Sequence, residues 1–404
     1  MSQKKVSIIL ILVLSGLSSA AFVKTGLDNV GSYKQLFQGK RVGLVTNHTA
    51  YDSNGQYIVD VFRNMDKVTV VALFSPEHGI FGAEGPGAKI VNQIHPVYKV
   101  PVYSLYGNTR KPTQQMFKDI DVLIFDIQDI GARFYTYIYT MSLAMEAAAE
   151  YGKPFVVLDR PNPINGIQVE GNILQPQFAS FVGLYPISVR HAMTVGELAK
   201  MFNDEGWLAN GIKADLSVIP MQDWRRSYWY DQTGLSFIKP SPNIPDLETA
   251  ILYPGLCLLE GTNVSEGRGT LLPFMQFGAP WIDSKKLSAQ LNKLNLKGLR
   301  FEPTTFTPVS SKYKNQKCNG SRIVITDRNL LEPYWIGIQI VNEICQMYAD
   351  AFQWKAQHFD HLCGTSSIRE AIIIRSSLEK TRENWQAELK AFLKIRSKYL
   401  IYSN

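Results

Sequence analysis

The chain has 404 residues, 45% hydrophobic and 19% charged, with a formal net charge of +7. That is apolar material for more than one core, and the length predicts two domains. There is no low-complexity tract, and no Lys/Arg run or RNA-type aromatic motif, which excludes a nucleic-acid partner. The mild basic excess fits ordinary surface charge or association with an anionic polymer such as a cell wall.

In chain order, Lys4-Lys5 precede the apolar run Val6–Leu14, and Ser18-Ser19-Ala20-Ala21 supply small residues for cleavage. Residues 1–20 read as a secretory signal peptide, because the run is too short to span a bilayer. No cysteine sits at the cleavage site and no later apolar stretch is long enough to cross a membrane. The mature protein is expected to be exported, periplasmic or extracellular, without a membrane anchor.

Four short apolar runs follow: Val42–Asn47, Val68–Phe74, Val122–Asp126 and Phe155–Leu158. Runs of this kind are buried parallel strands. Helices are predicted around Tyr33–Phe37, Ile58–Asn64, Pro112–Phe117 and Thr140–Tyr151, the last with Met141, Ala144, Met145 and Ala148 at helical spacing. A further helix, Val195–Glu205, starts at Thr194 with Glu197 three residues on, a capping-box pattern. Strands alternating with helices predict an α/β fold with a doubly wound parallel sheet.

The aromatic, proline-rich stretch Asp223–Asp246 marks the domain boundary, giving 21–238 and 239–404. The second part opens with Leu252–Gly261 and the glycine-rich Thr262–Thr270. A strand at Ser321–Thr326 and a helix at Tyr334–Ala349 come next. Ser367–Leu400 reads as one or two amphipathic helices with Trp385, Leu389 and Phe392 facing inward. Of the four cysteines, Cys257 and Cys345 sit among apolar residues and read as buried small hydrophobes. Cys318–Cys363 is the disulfide pairing considered, with free thiols favoured.

Each of the four strands ends on chemically capable residues, and carboxyl ends of strands are where open α/β sheets build their sites. The first stops at Thr46-Asn47-His48 and the second at Ser75-Pro76-Glu77-His78-Gly79. Glu77 beside His78 suits general acid/base work, the alternative being a capping Glu and a surface His. The third runs into Asp126-Ile127-Gln128-Asp129-Ile130-Gly131-Ala132-Arg133. Here Asp126 and Asp129 are candidate cleft carboxylates and Arg133 a candidate binder of a carboxylate or sugar hydroxyls, against an internal Asp–Arg ion pair. Tyr135, Tyr137 and Tyr139 offer aromatic surface for a sugar ring, or core packing.

The fourth strand reaches Asp159-Arg160-Pro161-Asn162-Pro163, with Glu170 beyond it, either lining a pocket or fixing a loop. Asn243 lies in the rigid Pro240–Pro245 segment. Glu260, Asn263, Glu266 and Arg268 sit among glycines that permit close backbone approach. They join the cleft if that loop folds over the first domain; otherwise they are salt-bridge partners. Missing are Gly-x-Gly-x-x-Gly, the phosphate-loop motif, the Gly-x-Ser-x-Gly elbow and zinc-ligand spacings. No cofactor and no metal are expected.

Taken together, Gly43–Asn47, Ser75–Gly79, Asp126–Arg133, Asp159–Pro163, Pro240–Pro245, Tyr253-Pro254-Gly255, Glu260–Thr270, Pro273-Phe274, Gly278–Trp281 and Arg396–Leu400 resemble the exo-β-N-acetylmuramidases of the NamZ type. The resemblance spans nearly the whole mature chain. It implies a Rossmann-like N-terminal domain, a smaller α/β C-terminal domain closing a cleft, and removal of terminal N-acetylmuramic acid from peptidoglycan-derived saccharides. Glu77 would be the proton donor, tuned by His78. Asp126, Asp129 or the substrate's own acetamido group, oriented by an Asp or Tyr137, would fill the second role. Arg133, Arg160 or Arg268 would hold the lactyl carboxylate. A non-catalytic wall-sugar-binding protein and a hydrolase of another carbohydrate remain the other classes.

Overall fold

In a computed structural model of the protein, residues 22–403 are described, apart from Pro86 and Lys89. The signal segment 1–20 lies outside the described residues. In chain order the strands are β1 (Arg41–Thr46), β2 (Thr69–Ser75), β3 (Gln93–Ile94), β4 (Pro101–Ser104), β5 (Val122–Asp126) and β6 (Phe155–Leu158). They continue with β7 (Glu170–Ile173), β8 (Ser188–Arg190), β9 (Leu216–Ile219), β10 (Gln276–Ala279), β11 (Leu299–Phe306) and β12 (Cys318–Ile325).

Among the described residues, seven strands form one sheet in the order β3-β4-β2-β1-β5-β6-β9, parallel throughout except for the β3–β4 edge pair. Chain order runs outward from β1 in one direction and then restarts at β5 in the other, so the carboxyl ends between them flank a topological switch point. Register lines these ends up: Thr46 pairs with Asp126, and Ser75 with Ser104. Side chains alternate across β5. Val122 and Ile124 pack on one face with Leu27, Phe37 and Phe62; Leu123 and Phe125 pack on the other with Met141, Met145 and Phe202. Both faces are covered, which is why these strands are apolar without a break.

That second core continues without interruption into the C-terminal part, through Tyr253, Phe277, Ile323 and Ile338. There β10, β12 and β11 form an antiparallel sheet flanked by helices. The helices Leu247–Leu256 and Pro333–Met347 cross where two glycines meet: a Cβ on Gly255 would lie 1.8 Å from the Pro333 carbonyl oxygen, and one on Gly337 2.3 Å from that of Gly255. This close approach fixes the short 3-10 turn Cys257–Gly261, and with it Glu260.

The strand expectations for β1, β2, β5 and β6 match the structure to within a residue or so. The helix Val195–Asp204 carries the reciprocal Thr194–Glu197 capping box. Pro112–Phe117 shrinks to a single 3-10 turn, Gln114–Phe117, and Tyr33–Phe37 falls at the end of a 3-10 stretch, Leu27–Leu36. Tyr135, Tyr137 and Tyr139 are all buried, the last two on a helix that starts at Tyr137. The C-terminal segment holds three helices, Ser367–Ile373, Leu378–Asn384 and Gln386–Arg396, because Ser377 caps a fresh start by accepting from the Lys380 amide. Trp385 and Phe392 are buried there and Leu389 half-buried. All four cysteines are free thiols, so Cys318 and Cys363 are unbridged.

Candidate active site

Pro76 ends β2 by withholding a ladder donor, and the chain turns sharply through His78 and Gly79, with φ of +70° and +75°. The turn presents Glu77 to a cavity of about 350 Å³. Its walls come from five further places: Tyr106 and Arg110 after β4, Tyr135 and Thr136 after β5, Phe181 and Val182, Ser241 and Ile244, and a C-terminal group. The last includes Tyr253, Cys257, Glu260, Arg268, Phe274 and His358.

The Glu77 carboxylate is held at both oxygens. Thr136 donates its hydroxyl to Oε2 at 2.9 Å, and the Gly87 amide donates to Oε1 at 3.2 Å. Burial, and next the Glu77 charge, push the neighbouring Tyr106 hydroxyl above its ordinary value, so it remains a donor. His78 Nδ1 donates to the Glu84 carbonyl at 2.7 Å. Burial lowers the His78 pKa, Arg268 lowers it further and Glu77 opposes them; the ring is a neutral imidazole with Nε2 left as acceptor.

On the C-terminal wall, Arg268 donates to Glu260 Oε1 at 2.6 Å and lies 3.4 Å from Glu266. Lys312 donates to Glu266 at 3.0 Å and to the carbonyls of Leu259 and Val264. Burial pushes the Glu260 carboxyl up, but the Arg268 guanidinium and His358 outweigh it and bring the group down to about 2. Glu260 is therefore a fixed negative charge on the cavity wall.

Five of the residues singled out in the sequence thus line one cavity: Glu77, His78, Tyr135, Glu260 and Arg268. Glu266, itself buried, acts behind them by holding Arg268. Tyr137 lies beneath, donating to the Pro240 carbonyl at 2.6 Å, and Asn243 lines an adjoining groove with Gly85 and Leu271.

The other candidates lie outside this cavity and have internal partners. Asp126 and Arg160 form a two-point buried ion pair, and Arg160 borders a separate cavity with Tyr51 and Tyr230. Arg133 is fully buried and donates to the carbonyls of Asn172, Ile187, Leu362 and Cys363, pinning the two parts of the chain together. Asp159 accepts from Thr194, the Gly196 amide and Tyr402. Asn47 folds back on Thr49, Asn162 bonds Met193 and Ile164, Glu170 accepts from the Trp335 amide, and Asn263 ties to Ala351 and Gln353.

Asp129 is buried behind the cavity wall, where Oδ2 accepts from the Gly131 amide at 2.7 Å and Oδ1 has no partner among the described residues. Burial pushes its pKa up to about 7.

Sequence reasoning missed Tyr106, Arg110, Thr136, Phe181 and His358. Tyr106 and Arg110 follow β4, whose four residues begin with proline and give no apolar run to find. Among the described residues no cluster of His, Cys, Asp or Glu is arranged to hold a metal ion, and no helix is long and apolar enough to cross a membrane.

Compared with known proteins, residues 42–248 match the family described as exo-beta-N-acetylmuramidase NamZ, N-terminal, and residues 251–402 match its C-terminal counterpart. The chain is 46% identical over 382 residues to the peptidoglycan beta-N-acetylmuramidase NamZ of Bacillus subtilis, covering 94% of this chain and 91% of that one. Two crystal structures of DUF1343-family proteins from Bacteroides fragilis are similar in fold. One has a TM-score of 0.87 at 38% identity, covering 94% of this chain and 99% of that chain. The other has a TM-score of 0.76 at 33% identity, covering 95% and 100%.

Proposed function

Since the chain belongs to the NamZ exo-β-N-acetylmuramidase family and is a glycosidase, we propose that it releases N-acetylmuramic acid from the non-reducing end of peptidoglycan fragments. The bond cut is the β-1,4 linkage to N-acetylglucosamine, with Glu77 as general acid/base. The observation that carries this reading is a carboxyl group held at both oxygens on the wall of a cavity of about 350 Å³. That volume sits at the small end of ligand pockets, roughly 300–1,000 Å³, and suits one substituted sugar better than a chain.

Cleavage needs a proton on the leaving glycosidic oxygen, and a positioned carboxylic acid supplies it. Thr136 and the Gly87 amide keep Glu77 in one orientation, which is the geometric half of such catalysis. Neutral His78 and the Tyr106 hydroxyl flank it without adding a charge. On the wall of the same cavity the charged Glu260 is an acceptor for sugar hydroxyls. Asp126 is committed to Arg160, and this supports assigning it to the fold rather than to attack on the sugar.

Export belongs to the same reading, because peptidoglycan lies outside the cytoplasmic membrane; the lysines and apolar run before Ala21 support it. Fractionation of cells carrying the full chain, against one lacking residues 1–20, tests that part.

For the chemistry, the purified protein is incubated with the disaccharide MurNAc–GlcNAc. Free N-acetylmuramic acid is expected from the wild type and none from Glu77→Gln. Unchanged release by the variant would take Glu77 out of the mechanism. Equal turnover of a disaccharide with N-acetylglucosamine at its non-reducing end would replace the substrate.

A further inference from the structure

We propose that Arg110, held over the ring of Phe181 at the wall of the Glu77 cavity, selects muramic acid by binding the lactyl carboxylate of the terminal sugar; this rests on the muramidase reading above. Muramic acid differs from its N-acetylglucosamine neighbour by one group, an ether at O3 ending in a carboxylate. An enzyme that must tell the two apart needs a cation at the cavity wall whose charge is not already spent.

Four side chains that carry or can gain a positive charge line the cavity: His78, Arg110, Arg268 and His358. Arg268 is taken by Glu260 at 2.6 Å and Glu266 at 3.4 Å. His358 Nε2 lies 3.6 Å from Glu260, and His78 has committed Nδ1 to the Glu84 carbonyl. Arg110 has no carboxylate within ion-pair distance among the described residues. Its guanidinium carbon sits 4.3 Å from the centre of the Phe181 ring. Contact with the ring face steadies the planar group while leaving its N–H fork open, and that fork matches a carboxylate with two parallel hydrogen bonds.

The position also fits. Tyr106, four residues earlier on the same loop, has both Glu77 and Arg110 as electrostatic neighbours. Arg110 and the group proposed to protonate the leaving oxygen at C1 line the same cavity of about 350 Å³, with Tyr106 beside both. On the sugar, O3 lies one ring carbon beyond C2 from that centre. A ring placed with C1 at Glu77 can turn its lactyl arm toward the loop after β4.

The test compares p-nitrophenyl glycosides of N-acetylmuramic acid and N-acetylglucosamine with wild type, Arg110→Met and Arg110→Lys. Loss of a charge-assisted pair should lower kcat/KM for the muramic glycoside about 10- to 100-fold, chiefly through KM, and leave the N-acetylglucosamine glycoside unchanged. Arg110→Lys should recover part of the loss. Arg110 is exposed, so unchanged melting temperatures are expected to accompany these effects. A variant that keeps the wild-type ratio between the two glycosides overturns the proposal. If the wild type cleaves neither glycoside, the muramidase reading falls separately, and calorimetric binding of the two free sugars to wild type and Arg110→Met decides the role of Arg110.

Discussion

Thr136 donates its hydroxyl hydrogen to Glu77 Oε2 at 2.9 Å, joining the loop that leaves β5 to the loop that leaves β2. Two strand ends separated by β1 in the sheet thereby meet at one carboxylate. Thr136→Val keeps the shape of the side chain and removes the donor. The expected outcome is a fall in kcat of about tenfold with little change in KM, because the bond orients the acid rather than the substrate. Thr136→Ser should restore most of the rate. A rise in KM at constant kcat would instead place Thr136 against the sugar.

The Asp126–Arg160 pair makes a contrasting prediction. Both side chains are buried and bonded to each other at two points. Removing one partner strands the other charge in the interior, so Asp126→Ala should cost about 3–5 kcal/mol of stability, read by chemical denaturation. Asp126→Asn keeps an acceptor and the shape, and should stay folded with kcat within a few-fold of wild type. A folded Asp126→Asn protein with activity reduced a thousandfold would return Asp126 to the chemistry.

The contrast between Arg133 and Arg110 shows how far the sequence alone reaches. β5 is legible as five apolar or acidic residues with no interruption, and an arginine just past its end is a reasonable anion binder. What silences Arg133 is the arrival of the Leu362 and Cys363 carbonyls from some 230 positions away. No local spacing encodes that contact. β4 shows the reverse failure, since Pro101–Ser104 is too short to read as a strand and the arginine beyond it goes unnoticed. Glu77 and His78 were legible because Ser-Pro-Glu-His-Gly breaks a strong apolar run with a proline and a glycine. Glu260 and Arg268 were legible as residue types in a glycine-rich loop. Their meeting with Glu77 depends on the Gly255–Gly337 helix crossing, which only the folded chain supplies.

Asp129 predicts a pH dependence of stability. Its folded-state pKa of about 7 lies above the ordinary 3.8, so the folded protein binds this proton more tightly than the unfolded chain. The contribution is fully present below the ordinary value and is lost as pH rises through about 7. Asp159 and Glu170, also raised to about 7 by burial, act in the same direction. Buried His191, lowered to about 3, acts in the opposite one, its contribution being lost as pH falls below 6.5. The difference between wild type and Asp129→Asn isolates the one group. Melting temperatures should favour the variant progressively between about pH 4 and pH 8. A difference that stays constant with pH would mean that Asp129 does not titrate in that range.

Arg268 separates holding the site from reading the substrate. Its guanidinium faces Glu260 and Glu266 and lies over the Phe274 ring at 4.9 Å. Glu266 is buried, and its other cation is Lys312 at 3.0 Å. Arg268→Met leaves two carboxylates short of compensation and should lower stability by about 3 kcal/mol. Glu260 loses the main influence holding its carboxyl near 2, so it titrates at higher pH and the activity of the folded fraction should weaken as pH falls. Arg268→Lys should recover little, because a point charge cannot serve both carboxylates as the planar guanidinium does. Arg110→Met should do the opposite on both counts, sparing stability and changing the preference between muramic acid and N-acetylglucosamine. If Arg268→Met alone abolished that preference while remaining as stable as wild type, the lactyl group would be read by Arg268, and the Glu260 and Glu266 contacts would be ones that substrate displaces.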